Sequence, residues 1–199
     1  NAKQWSQVTM LFASIELGTQ QMMAGMYADA EWTLRDTYAK SKEYGFASSS
    51  MQGFYNRVAD YYNAVGLFDD GLKFAQMSES MVLDQGYQKG SPFWLFARMR
   101  VNQALIGANR WREAFESFEL ADQEAARIGR PVRGAQYQSL IRAFTYIKNN
   151  QHDRALKVLQ ANMNWHLNNF GEDHYFTAVN RGMMAVSLWK SGQVSQARE

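Results

Sequence analysis

Residues 108–118 read ANRWREAFESF, and residues 65–75 read VGLFDDGLKFA. Set one above the other, they share one grammar. Gly or Asn comes first, a large side chain stands two residues on, and a small one three beyond that. The pattern returns as AGMYADAEWTL over 24–34, NNQHDRALKVL over 149–159 and SGQVSQARE over 191–199. The large slot holds Tyr27, Phe68, Trp111, His152 and Val194. The small slot holds Ala30, Gly71, Ala114, Ala155 and Ala197. Four residues further on, Leu34, Ala75, Phe118 and Leu159 carry an apolar stripe forward at helical spacing.

Two ladders of turn residues frame these segments. The first is Gly25, Gly66, Asn109, Asn150 and Gly192, in steps of 41, 43, 41 and 42 residues. The second is Gly45, Gly86, Gly129 and Gly171, in steps of 41, 43 and 42. A fixed period of this size marks a repeat architecture. Gly and Asn tolerate the left-handed conformation that ends a helix. A large residue then plugs the turn, and the small one lets two helices approach closely. The preceding helices carry matching large-then-small pairs. Leu17–Gly18 is one, Tyr55, Val58, Ala59 and Tyr62 form another stripe, and Met184, Ala185 and Leu188 a third. Val101–Asn102 and Arg142–Ala143 are poorer versions. Ser91-Pro92 and Arg130-Pro131 fall just after the second ladder, where proline suits a helix's first turn.

The reading is therefore all-α. Ten helices are expected near 3–24, 26–44, 47–65, 67–85, 92–108, 110–128, 131–149, 151–169, 173–191 and 193–199. They pair into about five antiparallel hairpins of one repeat domain, with units near 3–45, 46–86, 87–129, 130–171 and 172–199. The chain opens Asn-Ala rather than Met and stops as another helix begins, which reads as a segment of a longer protein with its last repeat truncated.

Composition excludes several classes. Of 199 residues 46% are hydrophobic and 20% charged, which does not describe a disordered polar tail. The net charge of +2 is too mild to argue for nucleic acid. Arginines 98, 100, 110, 112, 127, 130 and 133 are dense but scatter over several helix faces. No cysteine occurs, so disulfides, thiolate metal sites and a cysteine nucleophile are ruled out within these residues. No apolar run is long enough to span a membrane. A cytoplasmic location is expected.

The large-small, Gly, aromatic, Ala grammar resembles the tetratricopeptide repeat (TPR) over essentially the whole chain. The resemblance implies a right-handed superhelical solenoid of hairpins that binds a protein or peptide. The usual unit is about 34 residues; units of 41–43 resemble those of kinesin light chains and of bacterial proteins carrying a CHAT-type caspase-like peptidase. Residues 170–199, FGEDHYFTAVNRGMMAVSLWKSGQVSQARE, resemble the repeat that leads toward a CHAT domain. The match rests on Gly171, Glu172, Asp173, His174, Thr177, Ala178, Arg181, Gly182, Ala185, Gly192 and Ala197. It implies a sensing or scaffold region that regulates a downstream peptidase. The alternative is a stand-alone peptide receptor or adaptor.

The residues themselves offer no catalytic constellation, so no enzyme activity, cofactor or metal is expected of this chain. His152, His166 and His174 form no metal-ligand spacing. His152 falls in the plug slot, and Glu172-Asp173 before His174 reads as an acidic helix start. Asp69-Asp70 sit where negative charge offsets a helix dipole. Trp32 and Trp111 read as core.

In stacked TPR hairpins the first helices line the concave groove, and this places the candidate binding residues. They are Asn56, Arg57, Asp60 and Asn63, then Met99, Arg100, Gln103 and Ile106, then Tyr137, Leu140, Phe144 and Ile147, then Gly182, Val186 and Trp189. Arg57 and Arg100 are the expected charged anchors, suited to a carboxylate or a peptide backbone. The middle of this face is polar and its C-terminal part apolar.

Overall fold

A computed structural model describes residues 2–45, 48–129 and 139–198. Among them are nine α-helices and no strand. The helices are α1 (Ala2–Met23), α2 (Tyr27–Glu43), α3 (Ser48–Ala64), α4 (Phe68–Asp84), α5 (Pro92–Gly107), α6 (Trp111–Arg127), α7 (Ser139–Lys148), α8 (His152–Phe170) and α9 (Tyr175–Lys190). Pro131, Arg130, Arg133 and Tyr137 lie outside the described residues.

The joints between helices repeat almost atom for atom. Gly25, Gly66 and Gly192 hold positive φ, and so do Asn109 at 58° and Asn150 at 57°. The N–H of the following residue donates five residues back: Met26 to Gln21 O at 2.8 Å, and Leu67 to Tyr62 O, Gln151 to Tyr146 O and Gln193 to Leu188 O at 2.9 Å each. This is the Schellman closure of a helix end. The residue after the rung then takes one conformation throughout. Its φ and ψ are −84° and 62° at Met26, −90° and 64° at Leu67, −85° and 59° at Arg110 and −95° and 58° at Gln151. Met26, Leu67 and Gln151 provide no side-chain cap, so the large plug residue that follows closes the helix start by packing. A Cβ on Gly107 would fall 2.2 Å from the Phe68 ring, which fixes how closely that plug seats on α5.

Gly171 differs from the other rungs. At φ 84° and ψ 178° it ends α8 in a region that essentially only glycine visits. Ser91 caps α5 through its Oγ, which accepts the Trp94 N–H at 3.3 Å, with Pro92 in the first turn.

The small slots carry the packing. Ala30, Ala114 and Ala155 have no exposed surface, and neither do Ala75, Phe118 and Leu159 on the stripe beyond them. Each large apolar side chain so buried contributes about 1.5–3 kcal/mol.

The chain packs as two compact units, Asn1–Asn109 and Arg110–Glu199. In the first, α1 packs on α2, α3 on α4 and α4 on α5, and the first helices α1, α3 and α5 also touch in succession. Its core centres on Ala30, Leu34, Phe54, Tyr55 and Val58. In the second, α6, α7, α8 and α9 pack in chain order around Ala143, Tyr146, Ala155 and Leu159, and α7 touches α9.

Three expectations are corrected. A tenth helix at 193–199 is replaced by a short 3₁₀ turn, Gln196–Arg198. So short a segment closes too few bonds to offset the cost of nucleating a helix. Leu17 is exposed, and only its partner Gly18 is buried, facing Leu34. Trp32 is an exposed residue on α2 and no part of the core, whereas Trp94 on α5 is fully buried.

Candidate functional site

The face formed by α1, α3 and α5 brings part of the predicted polar set together. Arg100 is buried and clamps Asp60 across the two helices, Nε to Oδ1 at 3.3 Å and Nη2 to Oδ2 at 3.4 Å. Its guanidinium also donates to Phe96 O and lies 3.9 Å from the Phe96 ring centroid. Arg57 reaches the same carboxylate, Nη1 to Oδ2 at 3.5 Å, and stays half-exposed. Arg100 is therefore a structural tie, and Arg57 is the open cation of this cluster.

Asn56 and Asn63 do not face outward either. Asn56 is buried, and its Oδ1 accepts the Ser78 hydroxyl at 2.9 Å, tying α3 to α4. The Asn63 amide packs where a Cβ on Gly71 would fall 2.3 Å from its Oδ1, so the helix pairing that Gly71 permits encloses it. Gln103 is half-buried on α5. Helical spacing alone does not tell the two flanks of a first helix apart, and here one flank meets the hairpin partner.

In the second unit Phe144 stacks edge-on against the plug residue Trp111, with centroids 5.3 Å apart, and Lys148 Nζ lies 5.3 Å from both rings. Leu140 and Ile147 pack onto the core of that unit. Gly182, Val186 and Trp189 are exposed on α9.

An aromatic grouping in the first unit was not foreseen from the sequence. Between α2, α3 and α4, Tyr38 stacks on Phe54 and Tyr62 on Phe74, with centroids 5.9 and 5.4 Å apart. Together with Val58 and Tyr61 they line a pocket of about 190 Å³. Glu31 and Arg35 stand in its lining. The Tyr61 hydroxyl donates to Glu31 Oε2 at 3.2 Å, and Arg35 meets Oε1 at 2.6 Å. Arg35 and then Tyr61 hold the Glu31 carboxyl below its ordinary value, so it is ionised at neutral pH. The available signal was the adjacent pairs Phe54-Tyr55 and Tyr61-Tyr62. Neighbours in a helix point about 100° apart, so each pair places one ring toward each flanking helix.

The second unit also holds two guanidinium sites. Arg142 is buried against Asp122 and the Tyr146 hydroxyl, with Cζ 5.3 Å from the Phe118 ring and 5.6 Å from Tyr146. Arg154 pairs with Glu119 at 2.6 and 3.0 Å and lies 5.5 Å from the Phe115 ring and 4.7 Å from Tyr146.

His174, not the acidic pair before it, starts α9. Its Nδ1 accepts the Phe176 N–H at 3.2 Å, and its ring stacks on Phe170 with centroids 4.4 Å apart. Glu172 and Asp173 stand exposed ahead of the helix, because the extended backbone at His174 already orients its ring nitrogen to cap. His166 is buried beside Phe170 and Phe176, with Nε2 3.2 Å from Asn162 Nδ2. Burial, and then the nearby His174, hold its imidazole below the ordinary value of 6.5. A depressed histidine adds stability that is complete above that ordinary value and is lost as pH falls through the folded one. The melting temperature is expected to fall between pH 7.5 and 5.5, and to fall less in His166→Gln. Equal slopes in the two proteins would remove His166 from the account.

Among the described residues no three His, Asp or Glu side chains are grouped to hold a metal ion. No described helix is long and apolar enough to cross a membrane.

No family model matches the chain, and no curated protein matches it. Solved structures do. A putative kinesin light chain with nearly identical TPR-like repeats from Podosopora anserina aligns with a TM-score of 0.74 at 16% identity, over 96% of this chain and 91% of that one. BtubC from P. vanneervenii aligns with a TM-score of 0.70 at 12% identity, over 98% and 87%. The fold is that of an all-α, TPR-like repeat array. At these identities the likeness concerns the fold alone, and it agrees with the hairpins and joints described above.

Proposed function

We propose that this chain is a protein- or peptide-binding scaffold. The observation that carries the reading is the succession of first helices α1, α3 and α5, which offers a continuous face with the half-open Arg57 guanidinium held beside Asp60. A repeat array is suited to recognition because its surface is extended and its stability is supplied between neighbouring repeats. A partner's carboxylate would meet Arg57 first. Peptides selected from a displayed random library test this. Enriched sequences are expected to contain acidic residues and to lose binding to Arg57→Glu. Enriched peptides that ignore this change would sink the assignment to this face.

Within that reading, the resemblance of residues 170–199 supports a sensing region in a bacterial, cytoplasmic CHAT-type peptidase, with catalysis supplied by another domain of the same protein. Likeness to a kinesin light chain favours the second reading, an adaptor without a peptidase. The full reading frame separates them, because only the first requires a histidine and a cysteine in an α/β domain after residue 199.

A further inference from the structure

The geometry points to the pocket between α2, α3 and α4 as a receptor for a guanidinium group, supplied by an arginine of a partner polypeptide. The inference is independent of the face that carries Arg57.

The argument comes from the repeat itself. Counted from the ladder, Tyr62 and Tyr146 are equivalent, each four residues before a rung. Leu34 corresponds to Phe118 and Tyr38 to Asp122, nine and thirteen residues after a rung. Val58 corresponds to Arg142, eight before one. The second unit thus fills the equivalent place with a guanidinium of its own. Arg142 lies on the Phe118 and Tyr146 rings and is paired with Asp122. Arg154 also lies against Tyr146, and against Phe115, and is paired with Glu119. The fold therefore builds sites for a cation on aromatic faces beside a carboxylate.

In the first unit the same place is walled by Tyr38, Phe54, Tyr62 and Phe74, of which only Tyr62 matches a ring of the second unit's sites, while Leu34, Tyr38 and Arg35 stand at the positions of Phe118, Asp122 and Glu119. Val58 stands for Arg142 and Asp70 for Arg154, while Glu31 brings an ionised carboxylate at the position of Phe115. Aromatic faces carry negative potential and attract a cation near the ring. Arg35 does not take the role of Arg142. It is mostly exposed and holds Glu31 from four residues on, in a solvent-screened surface pair that an incoming guanidinium can displace. A guanidinium fits better than a compact ammonium, because it is planar, weakly hydrated and able to stack while donating to a carboxylate.

N-acetyl-arginine amide is the probe, with N-acetyl-citrulline amide as its neutral isostere. Titration of the whole chain is read by amide NMR shifts. Arginine amide is expected to give saturable shifts on α2, α3 and α4, with the citrulline amide weaker by about tenfold or more, as for loss of a charged hydrogen bond in a part-exposed site. Glu31→Gln is expected to weaken arginine binding by a similar factor with an unchanged spectrum elsewhere. Val58→Arg, which copies Arg142, is expected to abolish it. Should Val58→Arg fail to fold, Glu31→Gln still decides. Equal binding of the two probes, shifts confined to other helices, or no saturable shift at millimolar concentrations would overturn the proposal.

Discussion

Truncating Phe118 to alanine is expected to lower stability by about 3–5 kcal/mol. The ring has no exposed surface and lies beneath the Arg142 guanidinium. Alanine removes the transfer energy of the ring and leaves a cavity. The neighbours cannot refill it readily, because Ala114, Ala121 and Ala125 on the same helix are already fully buried. Arg142 would also lose an aromatic face while still buried. Phe118→Leu keeps most of the volume and is expected to cost under about 1.5 kcal/mol. Urea unfolding measures both, provided the slope with denaturant stays constant. An alanine loss below about 2 kcal/mol would show that the site collapses around the deletion.

Replacing Arg100 by alanine is the second large effect, expected at about 3 kcal/mol. Asp60 is mostly buried, and Arg100 supplies both of its short contacts from α5. Removing the guanidinium strands the carboxylate, with Arg57 at 3.5 Å as a partial substitute. The double change Arg100→Leu with Asp60→Leu is expected to recover most of the loss, because replacing both members of a buried pair removes the desolvation cost along with the attraction. Arg57→Ala is expected to cost under about 1 kcal/mol, since that pair is solvent-exposed on the arginine side. Thermal and urea melts of the wild type and these three variants give the comparison. If the double variant is as unstable as Arg100→Ala, the pair matters through packing over Phe96 rather than through charge.

These two residues also mark where sequence reading succeeds and where it stops. Phe118 was legible because its role depends on spacing from Asn109, and spacing survives in the sequence. The joints were legible for the same reason: a left-handed rung needs Gly or Asn wherever it occurs. Arg100 was misread as an anchor because a charged residue on a helix gives no sign of which neighbour covers it. Its partner is 40 residues away, and the contact depends on how α3 and α5 come together. Asn56 was misread likewise. The pocket between α2, α3 and α4 escaped notice because its walls come from three helices, and no single helix displays it as a stripe. His174 was read as following its cap and is itself the cap, since an imidazole nitrogen can stand in for the usual carboxylate or hydroxyl.

The near-identity of the joints has a consequence for how such a chain can change its length. At Met26, Leu67 and Gln151 the backbone enters a helix at almost the same φ and ψ after the same kind of turn. Cutting after one rung and rejoining after the next would splice ends of matching geometry, with no new loop to invent. Gene duplication or deletion in steps of one whole period therefore preserves every local closure, whereas an insertion of a few residues would displace the plug from its socket. Length in such an array is counted in units, so long as each rung keeps its turn and the segment after it keeps its plug and its small buried residue.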